Sequence, residues 1–247
     1  MSAAEPRASA RAGRPRANST DQVSSLTGRE QILDAAAALF AELGFSGTST
    51  RAIADRVGIR QQSLYYHFAG KDDILAELLS DSVHPSINFI DLIKARVPAH
   101  VSAAGALFAL ACVDIQTLRR ARRNIGTLYL LPEVQEPRFE AFRAERTSLR
   151  EAYGQLGTAA ASPEIRPLLD PATIGTILMQ IVEVVIQLRR NGERTIGDDD
   201  LTIATTCLRA VSLTTPEIER AQEEGRNLLQ SSFADTRPSL LSRPSEN

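Results

Sequence analysis

The sequence has few of the residues from which disulfide frameworks and metal sites are built. It contains two cysteines and three histidines among 247 residues. Cys112 and Cys207 are far apart in apolar surroundings, so we expect small buried side chains in a reducing compartment rather than a disulfide. The histidines have no cysteine or acidic partner at the spacing of metal ligands. We therefore expect neither a metal nor another cofactor.

Long apolar segments and enzyme signatures are also missing. The longest apolar runs, ALFALACV and ILMQIVEVVIQL, are too short to span a bilayer or carry Gln180 and Glu183, which predicts no membrane span. The N-terminus has no apolar signal segment, so we expect a cytoplasmic protein. The motifs G-x-S-x-G and H-E-x-x-H, the P-loop and the glycine pattern of dinucleotide-binding domains are absent. We therefore expect a protein that is not an enzyme.

Charge is unevenly distributed along the chain. Residues 1–71 carry nine Arg and Lys against six Asp and Glu, whereas the remaining residues carry 19 against 24. This asymmetry predicts an anion-binding module on an acidic body. The first 25 residues are rich in Ala, Ser, Arg, Pro and Gly and are predicted to be disordered. Their arginines indicate either a solvated tail or an arm that contacts DNA phosphates or the minor groove; these are Arg7, Arg11, Arg14 and Arg16.

Three short helical segments follow. Thr27 and Glu30 form the pattern of a capping box, which starts the first helix, and Gly44 is suited to ending it. Hydroxyl side chains at Ser49–Thr50 are suited to capping the second helix, which Gly58 closes. A third helix runs through SLYYHF. Two short helices joined by a tight turn that contains glycine are typical of a helix-turn-helix domain.

The third helix carries polar side chains that suit the major groove of DNA. Leu64 and Phe68 are spaced to pack against the first two helices, which leaves the polar residues facing outward. Gln61 and Gln62 can pair bidentately with adenine, and tyrosine rings can contact thymine methyl groups. Neighbouring hydroxyl and basic side chains can contact phosphates. The predicted DNA-binding residues are Thr48, Thr50, Arg51, Arg60, Gln61, Gln62, Ser63, Tyr65, Tyr66, His67 and Lys71.

The rest of the chain is predicted to be helical. A fourth helix begins at Lys71 and is expected to stop at Pro85, and further helices are predicted at roughly 86–96, 100–120, 137–158, 171–190, 200–213 and 216–230. The predicted fold class is all-α, with an N-terminal three-helix helix-turn-helix DNA-binding domain and a larger helical domain. The predicted boundaries are 1–25 for a disordered basic arm, 26–72 for the DNA-binding domain, 73–230 for the larger domain and 231–247 for a disordered tail.

The helices predicted at 171–190 and 200–213 are unusually apolar. Two adjacent antiparallel helices of this kind need more burial than one chain of this size obviously offers. A two-fold dimer in which they form a four-helix bundle with their mates would supply it; the alternative is that they form only the core of one chain. The predicted dimer residues are Ile177, Ile181, Val185, Leu201, Ala204, Leu208 and Val211.

Four motifs stand in order between Ile32 and Leu79: AAALFAELGFSGTST, IADRVGI, LYYHF and the lysine at position 71. In this combination they resemble the TetR family of bacterial transcriptional regulators. The resemblance implies a homodimeric repressor that binds a palindromic DNA operator and releases it when a small molecule enters the C-terminal domain. It implies phosphate contacts by Thr50, Tyr66 and Lys71, and groove contacts by Arg51, Gln61, Ser63 and Tyr65.

One residue departs from the family pattern. The family often has serine where Arg60 stands, as the N-cap of the recognition helix. Arginine cannot cap a helix in that way, so either the cap is lost or Gln61 or a water molecule replaces it. The added charge also implies an operator preference different from that of relatives.

In the larger domain the resemblance implies an effector pocket, which would lie between helices and be mostly apolar. The composition of the candidate lining favours a hydrophobic or amphipathic effector, although packing in the core competes as an interpretation for each residue. Glu183 is the only buried acidic candidate and must have a partner. The cluster RRARR at 119–123 indicates a solvated helix end or a site for an anionic ligand group. The candidate pocket residues are Phe89, Phe108, Cys112, Gln116, Tyr129, Phe139, Met179 and Glu183.

Two related functions stay open at this point. A transcriptional activator of the same fold would bind DNA in the same way. A protein-binding module of this fold would have lost DNA binding, but the intact polar set on the third helix argues against it. The expected partners are therefore double-stranded DNA, a small-molecule effector and a second copy of the chain.

Overall fold

The computed structural model describes residues 27–96, 101–120, 123–190 and 198–234. Every regular element in these ranges is a helix, which confirms the all-α class. The predicted arm at 1–25 and most of the predicted tail at 231–247 lie outside the described residues. The α-helices are α1 (Gly28–Gly47), α2 (Thr50–Val57), α3 (Gln61–His67), α4 (Lys71–Asp81), α5 (His84–Arg96), α6 (Ala103–Arg120), α7 (Glu140–Ala160), α8 (Pro171–Arg190), α9 (Asp198–Ala210) and α10 (Thr215–Ala234). Short 3-10 helices lie at Ile125–Leu130, Pro132–Gln135, Pro137–Phe139 and Arg166–Leu168.

Side-chain caps start the first two helices as predicted, but Gly44 kinks α1, which ends at Gly47, and does not end it. Thr27 and Glu30 form the capping box, in which the Thr27 backbone N–H donates to the Glu30 carboxylate at 2.7 Å. Gly44 has a φ of 75° and interrupts the helical geometry of α1; glycine adopts this conformation without steric cost. Ser49 caps α2 through its side-chain oxygen, and Gly58 ends α2 with a φ of 80°.

Helices α1 to α4 share a small apolar core. Ile32 of α1, Ile53 of α2 and Leu64 of α3 are fully buried. Phe68, which follows α3, and Leu75 of α4 belong to the same cluster. Burial of one such side chain stabilises a fold by roughly 1.5–3 kcal/mol. The core therefore fixes which side of α3 faces outward.

Pro85 does not stop α4, so that prediction was wrong. Helix α4 already ends at Asp81, and Pro85 lies in the first turn of α5. A proline is compatible with that position because the N–H groups of the first helical turn have no partner within the helix. The Ser82 hydroxyl donates to the Leu79 carbonyl at 2.6 Å and closes the turn between the two helices.

Several further boundaries differ from the predicted ones by two to four residues. Helix α7 begins at Glu140 rather than near 137, because Pro137–Phe139 wind as a 3-10 turn. Helix α10 continues through Ala234, past the predicted limit of 230. The predicted disordered tail therefore begins inside a helix.

Helix α6 lies at the centre of the C-terminal domain, where it contacts α5, α7, α8, α9 and α10. Helices α7 and α8 cross closely beside it. A Cβ atom on Gly154 would lie 2.2 Å from the Pro171 carbonyl oxygen, and one on Gly175 would lie 2.3 Å from the Arg150 carbonyl oxygen. Because both distances are far below van der Waals contact, the crossing requires glycine at both positions.

Helix α8 is long and apolar enough to cross a membrane by length and composition alone. In this fold, however, it contacts α6, α7 and α9. Glu183 in its second half pairs with Arg146 of α7 at 2.6 Å. These contacts are typical of a core helix in a helical domain.

Four of the predicted dimer residues face the interior of this chain, so the prediction for them was wrong. All four are fully buried, and α9 packs against α6 and α8. The core of one chain therefore accounts for their apolar character. Ile177 and Leu201 are 46% and 45% exposed, and Ile181 is half-buried. The four inward-facing residues are Val185, Ala204, Leu208 and Val211.

The segment before α7, residues 123–139, contacts the predicted DNA-binding domain, and we call it the linking segment. Arg123 pairs with Asp34 of α1 at 3.2 Å. Arg138 pairs with Asp72 of α4 at 2.8 Å. The two ends of the segment are therefore tied to two different helices of that predicted domain.

Two more side-chain contacts of the linking segment lie between these ends. The Ser46 hydroxyl, near the end of α1, donates to the Glu133 carboxylate at 2.6 Å. The buried Tyr129 hydroxyl donates to Ser82, which follows α4, at 2.8 Å. The segment thus contacts the turn before α2 with one side chain and the C-terminal end of α4 with another.

Candidate DNA-binding surface and interior polar cluster

The outer side of α3 is polar. Leu64 is fully buried and Phe68 is 4% exposed, so the opposite side of the helix faces solvent. Tyr66 is 87% exposed, which is unusual for a large ring without a binding role. The surface formed by the solvent-facing side of α3 offers amides, hydroxyls, rings and a guanidinium, and consists of Arg60, Gln61, Gln62, Ser63, Tyr65 and Tyr66.

Three of the predicted DNA-binding side chains are joined to each other by hydrogen bonds. The Gln61 amide nitrogen Nε2 donates to Thr50 Oγ1 at 2.9 Å and to the Tyr65 hydroxyl at 3.3 Å. The two hydroxyl oxygens, Thr50 Oγ1 and Tyr65 OH, lie 3.1 Å apart. These contacts connect the first residue of α2 to α3 and hold Gln61 in one orientation.

Thr48 and Lys71 have roles inside the domain. Thr48 is 2% exposed and its hydroxyl donates to the Gly44 carbonyl at 2.8 Å, so it is not available to DNA and its predicted contact was wrong. The Lys71 ammonium donates to the carbonyls of Phe45 and Thr48 at 2.8 and 3.0 Å. It also lies 4.4 Å from the centre of the Phe45 ring. Lys71 therefore holds the turn that leads into α2.

His67 is half-buried beside the start of α1. Its carbonyl oxygen accepts a hydrogen bond from Arg29 at 2.8 Å. Its ring meets the Tyr66 ring edge to face, with the ring centres 5.3 Å apart. These contacts pack His67 against its neighbours Arg29 and Tyr66.

Arg60 occupies the N-cap position of α3 without a side-chain cap hydrogen bond. The amide of Gln61 is engaged with Thr50 and Tyr65 and does not replace that cap. Arg60 is exposed, as is Arg51 on α2. The Arg51–Asp55 pair is 3.9 Å apart with both side chains more than 70% exposed, and such a pair is weak in water. Both arginines can therefore reach an anionic partner.

Most candidate pocket residues pack in the core of the C-terminal domain. Gln116 is exposed on α6, and its prediction as a pocket residue was wrong. Cys112 is half-buried, and burial raises the pKa of its thiol to about 12, so it stays protonated. The residues with buried side chains are Phe89, Phe108, Tyr129, Phe139 and Met179.

Glu183 has the partner that its apolar surroundings require. Its carboxylate binds Arg146 at 2.6 Å and accepts a hydrogen bond from Gln180 at 2.7 Å. The Arg146 guanidinium in turn lies 4.4 Å from the centre of the Tyr129 ring. This ion pair therefore lies against the aromatic ring that the linking segment places in the core.

In the part of the chain that the structure describes, the most deeply buried acid is Asp114 rather than Glu183, which corrects the sequence interpretation. Asp114 is 3% exposed and accepts hydrogen bonds from Ser86 at 2.9 Å and from Tyr153 at 3.1 Å. Burial raises the pKa of Asp114 to about 6, although both hydrogen bonds oppose the rise. The signal in the sequence was a single aspartate within the apolar run ALFALACVDIQTL. We call Ser86, Asp114, Tyr153, Arg146 and Glu183 the interior polar cluster.

Two arginines of the cluster at the C-terminal end of α6 pair with acidic side chains. Arg119 pairs with Asp200 of α9, and Arg123 pairs with Asp34. Residues 121–122 of the cluster lie outside the described part of the chain. Among the described residues, no group of three or more His, Cys, Asp or Glu side chains is arranged to hold a metal ion.

Helices α2 and α3 form a helix-turn-helix that is joined to a larger helical domain. This arrangement is typical of the class of DNA-binding regulatory proteins. The family model for bacterial regulatory proteins of the tetR family matches residues 32–78. The crystal structure of AmtR from Mycobacterium smegmatis is 36% identical in sequence and covers 87% of this chain and 98% of that one, with a TM-score of 0.69. The chain therefore belongs to the TetR family of bacterial transcriptional regulators.

Two curated relatives are similar over smaller parts of the chain. The transcriptional repressor KstR2 of Mycobacterium tuberculosis is 44% identical over 68 residues, which are 28% of this chain and 30% of the relative. The repressor Rv3405c of the same species is 27% identical over 157 residues, which are 60% of this chain and 82% of the relative. The chain thus matches less than a third of the length of KstR2.

Proposed function

We propose that this chain is a cytoplasmic, homodimeric transcriptional repressor that binds a palindromic operator through α3 and releases it when a small hydrophobic or amphipathic molecule enters the C-terminal domain. The observation that carries the proposal is the polar outer side of α3 above the buried Leu64 and Phe68. A helix with this surface fits the major groove, where base edges are distinguishable. Tyr66, Arg51 and Arg60 supply contacts to phosphates or bases around it.

A partly exposed apolar stripe on α8 supports the homodimer. Ile177, Ile181, Val184 and Leu188 recur at spacings of four, three and four residues on α8. Ile177 and Val184 are 46% and 40% exposed, and the other two are half-buried. This spacing forms an apolar stripe that can pack against a second helix of the same kind. Leu201 on α9 adds exposed apolar surface.

The interior polar cluster supports an effector site in the C-terminal domain. Its Arg146 guanidinium lies 4.4 Å from the centre of the buried Tyr129 ring, and the buried rings of Phe108 and Phe139 belong to the same apolar core as Tyr129. A ligand that separates the surrounding helices would meet mostly apolar surface and a few polar groups, which is the usual composition of a small-molecule site. The linking segment, which carries Tyr129, would pass the change to the DNA-binding domain. Release would follow if the ligand favours the state with misplaced recognition helices.

Selection of binding sites from random DNA, read by sequencing without added ligand, tests the proposal. An enriched inverted repeat, with half-sites about one helical turn apart, is the expected result for a homodimer that reads sequence. The operator then serves as a probe for effectors, which should reduce binding in a gel shift. No enrichment by a folded, dimeric protein would contradict sequence-specific binding without a ligand.

A further inference from the structure

The three hydrogen-bonded side chains Gln61, Thr50 and Tyr65 form a closed triangle, and the positions of their hydrogens decide which atom of Gln61 is free. Nε2, Oγ1 and the tyrosine OH are separated by 2.9, 3.3 and 3.1 Å, so every side of the triangle is short enough for a hydrogen bond. Each of the three sides needs one hydrogen. The orientation of an amide is inferred from such a network.

Only one amide orientation fills all three sides. With Nε2 inside, its two hydrogens serve two sides and one hydroxyl hydrogen serves the third. With the amide oxygen inside, the two hydroxyl hydrogens serve at most two sides, and one pair of acceptor atoms is left without a hydrogen between them. The triangle of Gln61, Thr50 and Tyr65 therefore keeps the nitrogen inside and turns Oε1 outward.

The outward Oε1 atom is a lone acceptor. Gln61 is exposed, and Oε1 makes no hydrogen bond with the described part of the chain. In the major groove, adenine presents the N6 amino group and cytosine presents the N4 amino group as donors. A glutamine that reads adenine bidentately needs both its oxygen and its nitrogen, and here the nitrogen is engaged.

We propose that Thr50 and Tyr65 are positioning residues that hold Gln61 as a single acceptor, so that Gln61 selects a base with an amino group and accepts adenine and cytosine alike. This assignment rests on the proposed DNA-binding function and specifies what one side chain of that surface reads. It replaces the bidentate adenine contact that the sequence suggests for Gln61.

Gln62 provides a matched control on the same helix. Its side chain is exposed and makes no hydrogen bond within the described ranges, so both the amide oxygen and the amide nitrogen are available. A bidentate contact by Gln62 would favour adenine alone. The two adjacent glutamines are therefore expected to differ in base preference: Gln61 should select adenine or cytosine, and Gln62 should select adenine alone.

The test starts from the operator that selection from random DNA enriches. The base pair that loses its preference in Gln61→Ala is identified first, and Gln62→Ala should affect a different one. Affinities are then measured for operators with each of the four bases at the Gln61 position. The wild-type protein is expected to bind adenine and cytosine within about threefold of each other, and both at least about fivefold better than guanine and thymine, as for a single lost base contact.

Removing the two hydroxyl groups that hold the Gln61 amide should shift the base preference towards adenine. In the double variant Thr50→Val, Tyr65→Phe the Nε2 atom is free, so adenine should become favoured over cytosine by about tenfold. The ratio of affinities is the measurement, because loss of a phosphate contact weakens all operators equally. Gln61→Glu, which keeps an outward acceptor, should retain the preference for amino-bearing bases.

Two results for the ratio of adenine to cytosine affinity would overturn the assignment. One is a tenfold preference of the wild-type protein for adenine over cytosine at this position. The other is a ratio that does not change in the double variant. If Gln61→Ala shifts no base preference while an operator is still enriched, only this assignment fails. If no site is enriched, the proposed function fails together with it.

Discussion

The DNA-binding domain and the C-terminal domain hide their apolar residues in different ways. Each helix of the DNA-binding domain has one buried side, so the spacing of Ile53 on α2 or Leu64 on α3 identifies which residues face inward. Helix α6 of the C-terminal domain has neighbours on several sides, and α9 packs against α6, α8 and α10. Apolar character there does not distinguish a contact within the chain from a contact with a second chain. Leu208 and Leu201, both on α9, illustrate the difference.

A charge at Leu208 is expected to have the largest effect. Leu208→Asp places an unpaired carboxylate in the core and should lower the free energy of unfolding by more than about 4 kcal/mol. Urea denaturation followed by circular dichroism measures it. Leu201→Asp, at a 45% exposed position of the same helix, should stay folded and weaken only the proposed dimer in sedimentation. A folded monomer of Leu208→Asp would show that Leu208 lies in a dimer contact after all.

The ion pairs of Arg146 and Arg138 differ in burial. The first lies in the C-terminal domain, and the second lies between the two domains. Arg146→Ala leaves Glu183, whose side chain is 12% exposed, without its cation and should cost about 3 kcal/mol of stability. Arg138→Ala breaks the pair with Asp72, where the side chains are 52% and 39% exposed, and should cost less than about 1 kcal/mol. Urea denaturation of both variants is the measurement, and equal losses would contradict the distinction between the two regions.

The buried Asp114 should make the stability of the C-terminal domain depend on pH. Its pKa rises from the ordinary 3.8 to about 6 in the folded protein, so folding favours the protonated form. The wild-type protein should therefore lose roughly 1–3 kcal/mol relative to Asp114→Asn as the pH rises from 4 to 7. Urea denaturation of both proteins across this range measures the difference. A difference that stays constant with pH would show that Asp114 keeps its ordinary pKa.

The smallest expected effect concerns the start of α3. Arg60→Ser supplies the missing side-chain cap and should stabilise the DNA-binding domain by about 0.5–1 kcal/mol. Thermal unfolding measures the gain, and Arg60→Ala is the control without a capping hydroxyl. If Arg60 contacts a phosphate, both variants should also reduce the salt dependence of operator binding by about one unit of slope. An unchanged slope would show that Arg60 makes no contact with a phosphate.

The sequence was sufficient for the helical class and for the DNA-binding domain, because caps and glycines are local signals. Thr27, Glu30 and Gly58 act through their own backbone neighbourhood, and the structure shows them in their predicted roles. The partners of buried polar groups are not local. Asp114 meets Tyr153, which is 39 residues away along the chain, and only the packing of α6 against α7 brings them together.

Close contacts inside the DNA-binding domain escaped the sequence for a related reason. Lys71 follows the pattern of a basic residue near DNA, yet its ammonium caps the carbonyls of Phe45 and Thr48. Gln61 reads as a free amide until Thr50 and Tyr65 are placed beside it. Residue types alone identified the surface. Which atoms on it are free to contact DNA depends on the side chains of the neighbouring helix, and these contacts are visible only in the structure.

The contacts of the linking segment have a thermodynamic consequence. Arg123, Glu133 and Arg138 tie the position of the DNA-binding domain to the segment that carries Tyr129 into the interior. If a ligand in the interior lowers operator affinity by some factor, the operator must lower the affinity for that ligand by the same factor. A protein molecule on its operator would then be a poorer receptor than a free one. The concentration of ligand needed for a response would rise with the number of operators occupied.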